Sequence, residues 1–247
     1  MVEEVDFADL VMRARQLVES ATATGTETGQ AAGTRRVILG ITGSPGAGKS
    51  TLAQALHREL ADVSALTSMD GFHLSNTVLE AAGTLSRKGA PDTFDVAGFV
   101  NLLARLQCQT EEIVYAPEFN RSLEESIGSA VAIQRNTALV IVEGNYLLHT
   151  ANDWHKVASF LTESWFVSPP DQLRKQRLIT RHEAFGRSPD DAQKWALGTD
   201  QANAELVEGT KARATRILYV PTIPSTTAST ASTPAMHEAK QESRVTP

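Results

Sequence analysis

Apolar residues recur along this chain in two rhythms. Phe7, Leu10, Val11, Ala14, Leu17 and Val18 fall at helical spacing and predict an amphipathic helix over residues 5–20. The Thr-, Gly- and Ala-rich stretch 22–34 reads as a linker. Unbroken apolar runs follow at 37–41 and 138–142. Runs without polar alternation suit strands buried on both faces, and 138–142, the most continuous, is expected at the centre of a parallel sheet. Further strands are expected at 64–69, 111–115, 130–133, 164–167 and 217–220. Helical patterns lie between them at 51–62, 76–83, 96–106, 153–161, 171–183 and 189–214, and the Arg-, Lys-, Gly- and Pro-containing stretch 86–95 reads as a loop. Residues 221–247 are rich in Thr, Ser, Pro and Ala and read as a disordered tail. The predicted organisation is therefore an N-terminal helix and linker (1–34), an α/β domain (35–220) and a tail (221–247). Alternating strands and helices imply three layers, with a central parallel sheet and ligands at the C-terminal ends of its strands.

Gly43, Ser44, Pro45, Gly46, Ala47, Gly48, Lys49 and Ser50 spell G-x-x-x-x-G-K-S between the first long apolar strand and a helix. That context predicts a phosphate-binding P-loop: glycines let backbone N–H groups wrap a polyphosphate, and the helix N-terminus adds its positive end. Lys49 would reach the β- and γ-phosphates, the Ser50 hydroxyl would ligate Mg²⁺, and Thr51 continues the nucleotide-contacting set. ATP and Mg²⁺ are the expected cofactors.

Two carboxylates end predicted strands. Asp70 follows 64–69, where phosphoryl transfer to a hydroxyl needs a group that accepts or orients its proton; Asp-Gly is also a common turn pair. Glu143 follows 138–142, the place for an acid that holds Mg²⁺, or for a strand-end acid satisfied by backbone N–H groups. Arg174, Arg177 and Arg181 are spaced three and four apart and share a helix face; with Lys175, His182 and Arg187 they form a basic cluster, and Phe185-Gly186-Arg187-Ser188-Pro189 breaks the helix. This is the composition of a lid that closes arginines over a transferring phosphoryl group, Arg177 and Arg181 acting on it and Arg174 and Arg187 completing the lid; a solvated basic face has the same pattern.

Composition narrows the class. The 247 residues are 41% hydrophobic with a net charge of −6, which argues against nucleic-acid and membrane-surface binding. Cys108 is the only cysteine, so no internal disulfide is possible. An acidic N-terminus (Glu3, Glu4, Asp6) and the lack of an apolar span lead to the expectation of a cytoplasmic protein with a small-molecule partner. If it assembles, a homodimer is the commonest closed form.

The segments Met69-Asp70-Gly71-Phe72-His73, Arg87-Lys88-Gly89-Ala90-Pro91-Asp92-Thr93-Phe94-Asp95 and Val142-Glu143-Gly144 resemble those of bacterial type I pantothenate kinases, uridine kinases and phosphoribulokinases, over residues 36–220. The resemblance implies a parallel sheet with a lid over ATP, Asp70 as the catalytic carboxylate, Ser50 and Glu143 at Mg²⁺, and Arg177 or Arg181 in the lid. His73, Arg87, Lys88 and Tyr146 lie in or beside these segments as acceptor-side candidates. Asn203 resembles an acceptor-contacting asparagine of pantothenate kinases. Pro117-Glu118-Phe119-Asn120-Arg121 departs from the pattern, with Phe119 at a tyrosine position and Arg121 at the pantothenate kinases' histidine. Arg121, with Arg87 and Lys88, is expected either to recognise an anionic group on the acceptor or to pair with Glu124 or Glu125. The resulting expectation is an ATP-dependent kinase acting on a hydroxyl of a pantothenate-, nucleoside- or sugar-like metabolite. The alternative is a nucleotide-hydrolysing switch or ATPase with a protein partner, which no Asn-Lys-x-Asp motif supports.

Overall fold

The computed structural model describes residues 1–27 and 36–224. The expected tail lies almost wholly outside them, as does most of the expected linker. In chain order the elements are β1 (Glu3–Glu4), α1 (Phe7–Glu27), β2 (Val37–Thr42), α2 (Lys49–Glu59), β3 (Ser64–Ser68), α3 (Asn76–Ala81), α4 (Val96–Gln107), β4 (Ile113–Asn120), β5 (Glu125–Gln134), β6 (Leu139–Glu143), β7 (Glu163–Val167), α5 (Asp171–Ala184), α6 (Pro189–Leu197), α7 (Thr199–Glu208) and β8 (Arg216–Tyr219).

Six strands form one sheet in the order β1-β8-β7-β2-β6-β3, every pairing parallel. Strand β6 is interior but lies beside the edge strand β3; β7 and β2 occupy the middle. Side chains alternate between two cores, as the pleat requires. Ile38, Val140, Val142 and Phe166 face one side, packing with Phe99, Leu103 and Trp154 of α4 and the 3₁₀ segment Asn152–Phe160. Leu39, Ile41, Ile141 and Trp165 face the other, with Leu10 and Ala14 of α1 and Leu52 and Leu56 of α2. The N-terminal helix is thus part of one core.

Three expectations are corrected. Helix α1 continues to Glu27, into the stretch read as linker from residue 22. The weak strands near 111–115 and 130–133 are longer and pair with each other as an antiparallel ribbon, β4 with β5, outside the main sheet. Pro117 does not end β4, because the register shifts between Ala116 and Glu118, where a proline is tolerated. The helix expected over 189–214 is broken at Gly198 (φ −101°, ψ −99°) into α6 and α7.

Candidate active site

The loop between β2 and α2 has the backbone the glycines were chosen for. Gly46 (φ 80°) and Gly48 (φ 94°) lie in the left-handed region, and a Cβ on Gly46 would sit 2.7 Å from the Arg174 carbonyl oxygen. Gly48 begins α2 with no side-chain cap, so the first-turn N–H groups of α2 are left for an anion. Buried Lys49 reaches back to the Ser44 carbonyl at 3.3 Å. Burial pushes its pKa down to about 8, against the pull of Glu143 and Asp70.

Sheet register brings the carboxylates to this loop. Glu143, the last residue of β6, stands opposite Ile41 of β2 and Ser68 of β3. The Ser68 hydroxyl donates to Glu143 Oε1 at 2.7 Å and accepts from the Asp70 N–H at 3.1 Å, so one serine ties both acids. Burial, reinforced by Asp70, holds the Glu143 pKa above the usual carboxylate range. Asp70 sits in the 3₁₀ turn Met69–Phe72, half-buried, with Arg121 Nη2 at 3.4 Å from its Oδ2. His73 stacks between Phe94 and Phe119, at 4.1 and 4.6 Å between ring centroids. Burial lowers its pKa, and its Nδ1 is 2.8 Å from the Asp70 carbonyl, which can only accept. The neutral ring therefore carries its proton on Nδ1 and leaves Nε2 as an acceptor.

Two cavities meet here. One of about 550 Å³ is lined by Lys49, Ser50, Asp70 and Glu143 on one side and by His73, Phe119, Arg181, His182, Asp200 and Asn203 around it. The other, about 610 Å³, is lined by Gly46, Gly48, Thr51, Arg177 and residues 220–223. Lys49, Ser50, Arg121 and Arg181 line both. Among the described residues no cluster of three His, Cys, Asp or Glu could hold a metal alone. Ser50 and Glu143 fit instead an ion brought in on phosphates, as Mg²⁺ usually is.

No protein-family model matches the chain. A crystal structure of a protein from Silicibacter sp. TM1040, provisionally named a fructose transport system kinase, is 34% identical, with a TM-score of 0.73 over 88% of this chain and 100% of that one. The ATP-dependent kinase-like protein notR' of Aspergillus versicolor is 35% identical over 56% of this chain and 85% of its own length, and the uncharacterized protein YggC of Escherichia coli is 35% identical over 70% and 73%. The pantothenate kinase of Enterococcus faecalis is 34% identical over 60% of this chain, which spans half of that enzyme. The chain belongs to the P-loop small-molecule kinases of the pantothenate kinase, uridine kinase and phosphoribulokinase group. As a member it transfers phosphate to a hydroxyl of a small molecule.

The kinase gathers most of the residues singled out in its sequence, but not all. Arg181 is largely buried, which lowers its pKa, and no hydrogen bond holds its guanidinium among the described residues. Arg177 Nη1 lies 3.4 Å from the Ala47 carbonyl. Lys88 and Asn203 line the first cavity; Arg187 does too, its guanidinium 4.3 Å over the Trp195 ring. Arg174, read as a lid residue, is instead 4% exposed and sits beneath the loop: it donates to the Pro45 carbonyl, Asp171 Oδ1 and Gln201 Oε1. Ser44 turns away from the cavities just described and donates to Glu208 Oε1 at 3.0 Å. Arg87 pairs with Asp92 on the surface and lines neither cavity. Tyr146 is fully buried among Phe94 and Trp154, its hydroxyl donating to the Gly89 carbonyl at 2.6 Å. Arg121 does not take Glu124 or Glu125 as its ion-pair partner; its partner is Asp70.

The sequence reading missed the His182–Asp200 pair, Nε2 to Oδ2 2.6 Å, which joins α5 to the start of α7 on the cavity wall. It also missed Phe94, Asn145 and Trp195 as lining residues. Eighteen residues separate His182 from Asp200, and no periodicity connects them. Proximity of His182 to the lid arginines was the only available signal.

Proposed function

We propose that this kinase uses ATP and Mg²⁺ to phosphorylate a hydroxyl of a small, sugar-like polyhydroxylated metabolite held in the first cavity. The observation that carries this reading is that Lys49, Ser50, Asp70 and Glu143 share one cavity whose other walls set hydrogen-bonding groups (His73, Asn145, His182, Asp200 and Asn203) beside the aromatic rings of Phe94, Phe119, Phe185 and Trp195. Such a lining matches several hydroxyls better than an apolar acceptor. The 34% identity with the provisionally named fructose transport system kinase supports the same class.

In this reading the loop N–H groups and Lys49 hold the triphosphate, with the base in the second cavity beside Arg177. Ser50 and Glu143 would hold Mg²⁺, whose charge neutralises the β- and γ-oxygens. Asp70 orients the acceptor hydroxyl and takes its proton as the acceptor oxygen bonds to the γ-phosphorus. The bond from that phosphorus to the β–γ bridging oxygen breaks, and ADP leaves. Arg181, whose guanidinium makes no hydrogen bond among the described residues, is placed to meet the charge on the transferring group. His182 and Asp200 hold α5 against α7 and so fix the lid over the acceptor.

The test is ADP release with Mg²⁺ across a panel of ketoses, aldoses, sugar acids, sugar phosphates, nucleosides and pantothenate, run for the wild type and Asp70→Asn. A sugar-class acceptor should raise turnover well above background. Asp70→Asn should lower that turnover by about 10²–10⁴ while leaving nucleotide binding in place. Preference for a nucleoside or pantothenate would sink the sugar reading. Hydrolysis indifferent to every acceptor would favour the partner-dependent ATPase.

A further inference from the structure

We propose that Arg121, in the turn after β4, is a second arginine for the γ-phosphoryl group, acting on it together with Arg181. This rests on the kinase reading above and assigns Arg121 to the transferring group rather than to the acceptor. Three observations point the same way. Arg121 lines both the acceptor cavity and the nucleotide cavity, as only Lys49, Ser50 and Arg181 also do, and the junction of the two is where a transferring group must pass. Arg121 and Arg181 come from unrelated elements, the ribbon turn and α5, and repel each other across that junction. Two guanidiniums brought together from separate elements, each also acting on Lys49, favour an anion among them. Finally, the hold on Arg121 is loose: one 3.4 Å contact to Asp70 from a half-exposed side chain. Lys88, by contrast, is occupied by Asn76 and the Glu124 carbonyl, and Glu125 by the Asn76 N–H.

The Asp70 contact gives the clamp a built-in order. While Arg121 pairs with Asp70, the carboxylate that should receive the acceptor proton is engaged. Transfer of Arg121 to the γ-phosphoryl group releases Asp70 for the hydroxyl. The ribbon turn and α5 then hold the same group.

The test needs no knowledge of the acceptor. Binding of ATPγS and of ADP, each with Mg²⁺, is measured by calorimetry for wild type, Arg121→Ala, Arg121→Lys, Asp70→Asn and Asp70→Asn/Arg121→Ala. The expected result is a loss of about tenfold in ATPγS affinity for Arg121→Ala, with ADP affinity kept within about twofold and part of the loss restored by Arg121→Lys. The loss should persist in the Asp70→Asn background. Disappearance of the loss there would mean that Arg121 only screens Asp70, and overturns the proposal. Equal losses for both nucleotides, or none, overturn it too. A wild type that binds neither nucleotide would overturn the kinase reading itself.

Discussion

Arg174 Nη1 donates to the carbonyl oxygen of Pro45 at 3.2 Å, so the helix that carries Arg181 is fastened to the phosphate loop from beneath. The same guanidinium holds Asp171 on its own helix and Gln201 on α7, the helix whose Asn203 lines the first cavity. The phosphate loop, α5 and α7 therefore share one buried cation. Replacing it by methionine leaves the Pro45 carbonyl without this donor and should cost about 3 kcal/mol. Arg174→Met is expected to weaken ADP binding as well as lower the urea midpoint. Arg174→Lys, with a single ammonium, should recover only part of either. An unchanged ADP affinity in both variants would show that the fastening does not reach the loop.

Lys49 gives the kinase a pH signature. Its folded pKa of about 8 lies below the unfolded value of 10.5. Between these two pH values the unfolded chain holds a proton that the folded one does not. Lys49 therefore destabilises the free protein fully below pH 8, and stability from this group rises with pH from about 8 to 10.5. A triphosphate favours the charged amine, so nucleotide binding takes up a proton above pH 8. Affinity for ADP should fall by up to about tenfold per pH unit above 8, and Lys49→Met should bind weakly with a flat profile. Calorimetry in buffers of different ionisation enthalpy reads the proton directly.

Gly71 holds the ribbon against the catalytic turn. A Cβ there would lie 2.4 Å from the Pro117 carbonyl oxygen and 2.7 Å from its carbon, both backbone. Gly71→Ala must push away the strand that leads to Phe119 and Arg121. We expect a loss of about 1–3 kcal/mol in thermal unfolding. Because the phosphate loop is untouched, ADP binding should survive, while acceptor-dependent turnover is largely lost.

Arg36 anchors the far end of the same ribbon. Its buried guanidinium donates to the carbonyls of Leu106, Gln134, Arg135 and Thr137, each at 2.9 Å, and to Gln109 Oε1. Arg36→Met would leave four carbonyls without that donor at the base of β2 and should cost about 3–5 kcal/mol in chemical denaturation. The protein that remains folded should bind ADP normally. A large change in ADP affinity would contradict this separation of stability from function.

What the sequence determined was whatever depends on neighbours along the chain. The alternation of Val37, Ile38, Leu39 and Ile41 and the run 139–142 dictate two-faced buried strands, because each successive side chain must enter the opposite core. The glycine spacing from Gly43 to Gly48 dictates the loop, because only glycine takes its positive φ without a Cβ clash. Asp70 and Glu143 were legible because strands that end together in a parallel sheet present their next residues at one edge. What a side chain meets across the fold was decided only by tertiary structure. Arg174 and Arg181 are seven residues apart and share a helix face, yet the rise between them is about 10 Å. That distance is enough to put one under the phosphate loop and the other in the cavity. Short strands at 111–115 and 130–133 were legible, but their full length and antiparallel pairing were not, because β4 and β5 pair across a turn with exposed polar positions that give a weak pattern. Tyr146, Arg121 and the His182–Asp200 pair likewise take their roles from partners on distant elements, which no local rhythm records.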